Sequence, residues 1–283
     1  MVAGVMNQYG ERILRFLRKP ARQKIAAVVA TARYAVGQGT GPDPGEGLAG
    51  HRLAPPAVLR AREPRYLAVR PDSDLTFAAY PELATLGDIW VRSTPRNAGD
   101  LPRLYSLVLN IRAVMAEGVT GDFAELGVWH GNSAAVLAHY ARQAGREVAL
   151  FDTFEGFDPR DLVGLDRNRR MEFDDASLDA VRRFVGEERV RFLPGRFPDS
   201  IPADMATSRF SVVHLDCDLY APIKAGLEFF FPRLSPGGLM IVHDYSGVAW
   251  DGVKQAVDEF LASRPERPVL LPDRSGTAMI RKA

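Results

Sequence analysis

The stretch FAELGVWHGNSAAVLAHYARQAGREVALFDT, residues 123–153, decides the fold. It contains a short apolar run, a turn with two glycines, a run with apolar residues at helical spacing that ends at Gly145, and a second apolar run. This order predicts a strand, a helix and a second strand. Parallel strands need such a crossover connection, so the stretch predicts one unit of a parallel sheet.

The same alternation continues toward the C-terminus. Asp100 and Pro102 indicate an earlier helix that ends at Gly118. The segments PVLLPD and TAMIRK are predicted to form a terminal hairpin across DRSG. We therefore predict an α/β fold with a mostly parallel, seven-stranded sheet, helices on both faces and a C-terminal antiparallel hairpin. The remaining predicted strands and helices lie at 190–195, 210–216 and 238–244, and at 177–186, 220–231 and 252–264, respectively.

The N-terminal quarter has a different composition. Residues 1–36 are predicted to form a basic amphipathic helix, because residues 11–35 contain seven Lys or Arg and a single acid. Such a helix can lie on an anionic membrane surface, or it can pack against this or another subunit with a solvated basic face. Residues 37–74 are rich in glycine and proline, which predicts a linker or an extended arm. The compact domain is predicted over 75–283.

The composition excludes several classes of partner. The chain has 36 Lys and Arg against 35 Asp and Glu, so its net charge of +1 gives no reason to expect nucleic acid as a partner. Its one cysteine, Cys217, excludes an internal disulfide framework and fits a reducing compartment. No apolar run approaches the roughly 20 residues that cross a bilayer, and the first residues lack the apolar centre of a signal peptide. We therefore expect a cytoplasmic protein, with peripheral contact at the inner membrane face through residues 1–36 as the alternative.

Carboxylates follow the predicted strands. Four predicted strands each have one acidic residue at or near their end. These residues are Glu125, Asp152, Asp216 and Asp244. The carboxyl ends of parallel strands meet at one edge of the sheet, and ligands of such folds bind outside that edge. The sequence therefore predicts a functional site at which these acids meet.

The turn ELGVWHGNS, which begins at Glu125, joins the first strand to a helix. Gly127 permits a sharp turn, and Gly131 lets the start of the helix approach a ligand. A dinucleotide-binding turn needs a further glycine where the chain has the bulky Trp129, so a pyrophosphate fits poorly. S-adenosylmethionine has no phosphate, and it needs a carboxylate near its amino group, open backbone for its methionine portion and an acid for its ribose hydroxyls. Glu125 and Asp152 suit the first and the last of these needs.

Six segments, in matching order across residues 85–283, resemble the macrocin and novobiocin-pathway O-methyltransferase family: FAELGVWHGNSA, LFDTFEGF, VRFLPGRFPDSIP, HLDCDLY, FFPRLSPGGLMIVHDY and GVKQAVDEF. Members of this family are class I enzymes that depend on S-adenosylmethionine, and many methylate sugar hydroxyls in antibiotic biosynthesis. The resemblance implies a Rossmann-like class I methyltransferase fold, a small-molecule or glycan acceptor, and a homo-oligomer. It also implies nine cofactor-binding positions: Glu125, Gly127, Trp129, Gly131, Ser133, Asp152, Thr153, Phe154 and Ser177.

The resemblance also implies a divalent-metal site at Asp216, His243 and Asp244. Carboxylate oxygens favour Mg²⁺, and a bound cation can orient a hydroxyl and lower its pKa. The family more often has two acids where this chain has His243 and Asp244. The histidine therefore indicates a softer cation such as Mn²⁺, weaker binding, or a catalytic base at His243. Asp216 is the expected metal ligand and a possible catalytic base; the lysine of catechol-type relatives is replaced by Leu219.

Other polar residues near these strand ends have two interpretations each. Asp218 either orients the metal site or caps the helix that starts near Tyr220. His130 either faces the acceptor or is exposed without a role. His214, inside a predicted strand, is expected to be a hydrogen-bonded core histidine. The charged segment 155–176 is predicted to be a lid over the site or a solvated surface loop.

Two other functions compete with methyl transfer. Tyr220 and Lys224 match the Tyr-x-x-x-Lys pair of short-chain dehydrogenases, which would make the chain an NAD(P)-dependent oxidoreductase. Pro222 between them and the glycine spacing of the turn argue against this alternative. A binding module that keeps the fold without catalysis, docked on a membrane by its basic helix, is the second alternative.

Overall fold

The computed structural model describes residues 82, 86, 87, 90 and 100–283, apart from residue 248. The helix, linker and membrane contact predicted for residues 1–74, and the domain boundary at residue 75, lie outside these residues. Among the described residues, no helix is both long enough and apolar enough to cross a membrane.

A single seven-stranded sheet organises the described part of the chain, with the strand order β3-β2-β1-β4-β5-β7-β6. β1 to β5 are parallel, whereas β7 is antiparallel to both β5 and β6. The strands are β1 (Asp122–Leu126), β2 (Val148–Asp152), β3 (Val190–Pro194), β4 (Phe210–Leu215), β5 (Leu234–Val242), β6 (Val269–Leu270) and β7 (Ala278–Arg281). The predicted fold class, with its C-terminal antiparallel hairpin, is confirmed. From β1 the strands are added on one side as β2 and β3 and on the other side as β4 and β5, so the direction of the strand order reverses at β1, which pairs with both β2 and β4.

Alternating side chains of the strands build two apolar layers. Val148 and Leu150 face one layer, whereas Ala149 and Phe151 face the other. Each fully buried large apolar side chain contributes about 1.5–3 kcal/mol, which explains why the central strands are apolar on both faces. The helices that cover the sheet are α1 (Leu101–Ala116), α2 (Asn132–Ala144), α3 (Leu178–Val185), α4 (Tyr220–Arg233) and α5 (Asp251–Leu261).

The predicted helix ends are confirmed by their capping residues. Asp100 precedes α1, and its carboxylate accepts a hydrogen bond from the Arg103 backbone N–H at 3.3 Å. Gly131 and Gly145 flank α2 in left-handed conformations, with φ of 87° and 67°. Glycine adopts this conformation without the steric cost of a side chain, so the two residues define where α2 begins and ends.

Candidate active site at the carboxyl edge of the sheet

The ends of the central strands lie side by side. Leu215 pairs with Val242 at the last register position of β4 and β5, so Asp216 and His243 follow at the same level. The backbone N–H of His243 donates to the Leu215 carbonyl oxygen at 2.9 Å, and that of Asp216 donates to Leu126 in β1 at 2.8 Å. Glu125, Asp152, Asp216 and Asp244 thus come together at this edge, as expected from the strand pattern.

Asp216, His243 and Asp244 form a compact cluster. The Nδ1 atom of His243 lies 2.7 Å from Asp216 Oδ1 and 2.7 Å from Asp244 Oδ2. One potential ligand atom from each residue lies within 4.8 Å of the others. Asp244 adopts a left-handed backbone conformation, with φ of 61°, shortly after β5. Two carboxylates and an imidazole are a donor set that can hold a divalent cation.

Arg103 completes the cluster from α1. The residue is 4% exposed. The Nη2 group donates to Asp216 Oδ2, and it lies 3.3 Å from His214 Nε2. No sequence pattern indicated this role, because Arg103 precedes Asp216 by 113 positions and is one of 36 basic residues.

The charges in this cluster shift one another's pKa values. Burial raises the pKa of Asp216, but the positive charges of Arg103 and His243 outweigh it and hold that pKa well below its usual range. Burial and the Arg103 charge oppose protonation of His243. The neighbouring carboxylates outweigh both and raise the pKa of His243 well above its usual value. Burial, together with repulsion from Asp244 and Asp216, raises the pKa of Asp218 well above its usual value.

Glu125 and His214 form a fully buried pair beneath this cluster. Glu125 Oε1 lies 2.7 Å from His214 Nδ1, which confirms His214 as a hydrogen-bonded core histidine. Burial raises the pKa of Glu125, although the hydrogen bond to His214 opposes the shift. The Ser133 hydroxyl lies near the Glu125 carboxylate and also opposes the rise of its pKa, but Oε2 makes no hydrogen bond of normal geometry with the described residues. Buried polar atoms are normally paired, so this oxygen is available to a bound group.

Asp152 is bonded mainly to the backbone of the glycine turn. Its Oδ2 accepts from the N–H groups of Val128 and Trp129 at 2.6 Å and 2.9 Å. Its Oδ1 accepts from the Phe154 N–H at 2.7 Å. The Thr153 hydroxyl also lies 3.4 Å from Oδ1, but it donates its one proton over a shorter distance to the Gly156 carbonyl oxygen. A carboxylate oxygen has two acceptor positions, so Oδ1 keeps capacity for one ribose hydroxyl, whereas Oδ2 is fully used.

The other predicted cofactor positions have partners within the protein. Thr153 donates its hydroxyl to the Gly156 carbonyl oxygen at 2.5 Å. Phe154 packs its side chain into the core, and Ser133 is buried in the first turn of α2. Ser177 caps α3 and accepts from the Ala180 N–H at 3.5 Å. Any contact of Phe154 with a cofactor would therefore involve its backbone.

The segment 155–176 is anchored to both sides of the edge. Trp129 Nε1 donates to Asp175 Oδ1 at 2.7 Å. Phe157 and Phe173 each lie against the Trp250 ring, with centroid distances of 5.8 Å and 6.3 Å. Most residues of the segment are nevertheless exposed, so the lid and the solvated surface loop both stay predictions. His130 stacks on Trp129 at 4.2 Å, so it is not exposed without contacts.

The cap of α4 differs from the one that the sequence suggested. Asp166, 1% exposed, accepts from the Tyr220 backbone N–H at 2.8 Å through Oδ2. Asp218 does not cap the helix. It adopts a left-handed conformation with φ of 63° and lies beside Asp244. The cap comes from a segment 54 positions earlier, a distance over which capping patterns do not extend.

We expect Asp166→Ala to destabilise the protein by about 1–2 kcal/mol, since the first turn of α4 loses its acceptor. Urea unfolding followed by circular dichroism measures this change. Asp174→Ala, an exposed acid of the same segment, is the matched control and should change stability by less than about 0.5 kcal/mol. Equal stability of the two variants would contradict the capping role.

Residues 92–277 match the family model of Macrocin-O-methyltransferase (TylF). The chain belongs to this family. The resemblance noted in the sequence is therefore confirmed, and methyl transfer is confirmed as the activity class of the family.

Membership of the family also contradicts the oxidoreductase alternative. Tyr220 donates its hydroxyl to Glu259 of α5 at 2.6 Å, and Lys224 donates to that hydroxyl at 3.0 Å, so this pair joins two helices.

This macrocin O-methyltransferase family member is similar to two O-methyltransferases that are named for a tetracenomycin and a mycinamicin. The chain is 36% identical over 174 residues to the 8-demethyl-8-(2,3-dimethoxy-alpha-L-rhamnosyl)-tetracenomycin-C 4'-O-methyltransferase of Streptomyces olivaceus, covering 56% of this chain and 65% of the relative. It is 33% identical over 178 residues to the mycinamicin III 3''-O-methyltransferase of Micromonospora griseorubida, covering 56% and 68%. The chain thus spans slightly less than two thirds of the first relative.

Solved structures share the fold of this family member. The O-methyltransferase NovP superimposes with a TM-score of 0.56 at 28% identity, covering 64% of this chain and 80% of NovP. The calicheamicin methyltransferase CalS11 gives a TM-score of 0.58 at 22% identity, covering 86% and 98%. The class I methyltransferase fold is thereby confirmed.

Proposed function

We propose that the chain is an S-adenosylmethionine-dependent O-methyltransferase that acts on a sugar hydroxyl of a natural product or glycan, with a divalent cation held at Asp216, His243 and Asp244. The observation that carries the proposal is the position of this donor cluster beside the glycine turn, within a member of an O-methyltransferase family. In-line methyl transfer needs the acceptor oxygen close to the methyl group of the donor and aligned with it.

The glycine turn fits the methyl donor. α2 begins at Asn132, directly after Gly131, and Gly131 has no side chain with which to cap the first turn. Its free N–H groups therefore suit the carboxylate of the methionine portion. Glu125 Oε2, buried without a partner in the described part of the chain, suits the amino group. Asp152 Oδ1 suits one ribose hydroxyl. S-adenosylmethionine supplies an electrophilic methyl group on a sulfonium centre.

The donor cluster fits a small divalent cation. Ligand atoms at right angles around Mg²⁺ at about 2.1 Å lie about 3.0 Å apart. The separations of 2.7 Å between His243 Nδ1 and the two carboxylate oxygens are those of charge-assisted hydrogen bonds, and they would need to lengthen by only about 0.3 Å to match this value. A histidine ligand favours Mn²⁺ over Mg²⁺ relative to an all-carboxylate set. A bound cation would supply a Lewis acid that lowers the pKa of an acceptor hydroxyl.

In this proposal Asp216, His243 and the neighbouring aromatic side chains have different roles. Asp216 has a pKa well below the usual range, so it is a poor base and serves as a ligand. His243 must lose its Nδ1 proton before that nitrogen can act as a ligand, which couples cation binding to proton release. Phe173 contacts the rings of both Trp129 and Trp250, and this aromatic group would limit the access of water to a bound acceptor.

The acceptor class is supported by the relatives, whose names specify rhamnosyl-tetracenomycin and mycinamicin acceptors. The homo-oligomer and the membrane contact through residues 1–36 remain predictions from the sequence.

The proposal is tested by calorimetry followed by a transfer assay. S-adenosylmethionine should bind the protein, whereas NADH should not. Extracts of a strain that lacks the protein, incubated with it, S-adenosylmethionine and Mn²⁺, should yield a product heavier by one methyl group. Binding without any methylated product would favour the non-catalytic module instead.

We expect Asp152→Ala to weaken S-adenosylmethionine binding by at least about 1.5–3 kcal/mol, since a charge-assisted hydrogen bond to the ribose is lost and the Val128 and Trp129 N–H groups of the turn lose their acceptor. Calorimetric titration measures the effect. Asp122→Ala is the matched control: its carboxylate accepts from the Glu147 backbone N–H at 3.0 Å, at the opposite end of β1. Unchanged affinity in Asp152→Ala would remove the ribose assignment.

A further inference from the structure

The two oxygens of Asp216 have different partners. Oδ2 accepts from the Arg103 guanidinium, whereas Oδ1 lies 2.7 Å from His243 Nδ1, where the cation site is formed. The partly buried carboxylate is thus held by both oxygens, with one oxygen toward the donor cluster.

Arg103 is itself rigidly placed. It lies in the first turn of α1, and its backbone N–H donates to the capping carboxylate of Asp100. Its guanidinium carbon lies 5.7 Å from the centre of the Trp90 ring, and its Nη2 contacts both Asp216 and His214. Arg103 is thus constrained by its backbone hydrogen bond, by the Trp90 ring and by its contacts with Asp216 and His214. These contacts leave the guanidinium little freedom to move away from the Asp216 carboxylate.

We propose that Arg103 is a positioning residue that restricts Asp216 to single-oxygen coordination of the cation, and so selects small six-coordinate ions against Ca²⁺. The inference rests on the proposed function, since it assumes the cation site at Asp216, His243 and Asp244. Ca²⁺ accepts six to eight oxygens and often binds carboxylates through both oxygens. With Oδ2 held by Arg103, a bond from this oxygen to the cation would compete with the charge-assisted hydrogen bond, so coordination through Oδ1 alone is favoured.

Charge gives Arg103 a further effect. The Arg103 charge lies close to the carboxylates of Asp216, Asp100 and Asp244. A positive charge beside the cation site favours an acceptor oxygen that has lost its proton. The stability gained from the Arg103–Asp216 ion pair does not by itself explain why this arginine is buried, because buried salt bridges often add little to the free energy of unfolding.

The test compares cation binding in the wild-type protein, Arg103→Met and Arg103→Lys, with S-adenosylmethionine affinity and circular dichroism as fold checks. Mn²⁺ binding is followed by electron paramagnetic resonance, and Ca²⁺ by competition. In Arg103→Met the preference for Mn²⁺ over Ca²⁺ should fall about tenfold, because Asp216 is free to use both oxygens. Arg103→Lys, which keeps a charge and a donor, should restore most of the preference.

Arg112→Met is the matched control, since it removes an arginine–carboxylate pair with Glu82 from the same helix. Its cation preference should equal that of the wild-type protein. A preference that is the same in all four proteins would overturn the role of Arg103 while leaving the cation site intact.

A second measurement decides the question without a variant, in case Arg103→Met does not fold. Mn²⁺ bound to the wild-type protein should carry about three exchangeable waters by ¹⁷O broadening, because three protein atoms occupy the other positions. Two or fewer waters would contradict coordination by three single protein atoms, the arrangement that the role of Arg103 requires, and would overturn the inference. Absence of Mn²⁺ binding would overturn the proposed cation site, and this inference with it.

Discussion

Asp216→Asn is expected to weaken Mn²⁺ binding by about 100-fold and to abolish cation-dependent turnover. The amide has one acceptor oxygen, and the Arg103 guanidinium, buried beside it, is the strongest donor available to that oxygen. The NH₂ group would then face His243 and the cation position. The variant therefore keeps the partner of the buried arginine but presents a donor where a ligand is needed.

The affinity for S-adenosylmethionine should stay nearly unchanged in Asp216→Asn, because the glycine turn and Asp152 are untouched. Electron paramagnetic resonance of Mn²⁺ and calorimetry of S-adenosylmethionine give the two affinities. Asp122→Asn, at the amino end of β1, is the control and should change neither. Full cation affinity in Asp216→Asn would refute the assignment of Asp216 as a ligand.

Gly127→Ala is expected to destabilise the protein by about 3 kcal/mol or more, and to prevent formation of the glycine turn. A Cβ atom on Gly127 would overlap the backbone carbonyl of Asp216 and would lie 2.9 Å from the Cys217 nitrogen. These are backbone atoms that follow β4, so no side-chain rotation relieves the clash. Gly127 also has φ of 88°, which alanine adopts only with strain.

Gly145→Ala separates the two contributions. Gly145 also has a left-handed φ, of 67°, but a Cβ atom added to it at the end of α2 would meet no atom of the described residues within 4 Å. Its substitution should cost about 1 kcal/mol, from backbone strain alone. Urea unfolding of both variants gives the comparison. Similar losses of stability would mean that the close approach of β1 and β4 does not restrict residue 127.

The topology and the meeting of the strand-end acids could both be predicted from the sequence. Parallel strands separated by helices align their carboxyl ends whatever the details of packing, so Asp216 and Asp244 could be placed at one edge in advance. His214 could also be interpreted correctly, because a polar side chain within an apolar strand needs a buried partner. In both cases a local pattern and one general rule are sufficient for the inference.

The missed residues depend on contacts that no local pattern encodes. Arg103 reaches Asp216 from a helix that precedes the sheet, and Asp166 caps α4 from the segment after β2. Asp152 was expected to serve the ribose, yet most of its acceptor capacity is used by the turn that it supports. Each contact arises only after the helices pack on the sheet, so it follows from tertiary structure.

The central claim is that the methyl donor and the cation occupy neighbouring positions at one edge of the sheet. It is tested most directly by nuclear magnetic resonance of S-adenosylmethionine carrying a ¹³C-labelled methyl group, bound to the wild-type protein with Mn²⁺. We predict strong paramagnetic broadening of the methyl signal, absent with Mg²⁺ and lost in Asp216→Asn. A sharp methyl signal with both ligands bound would contradict the claim.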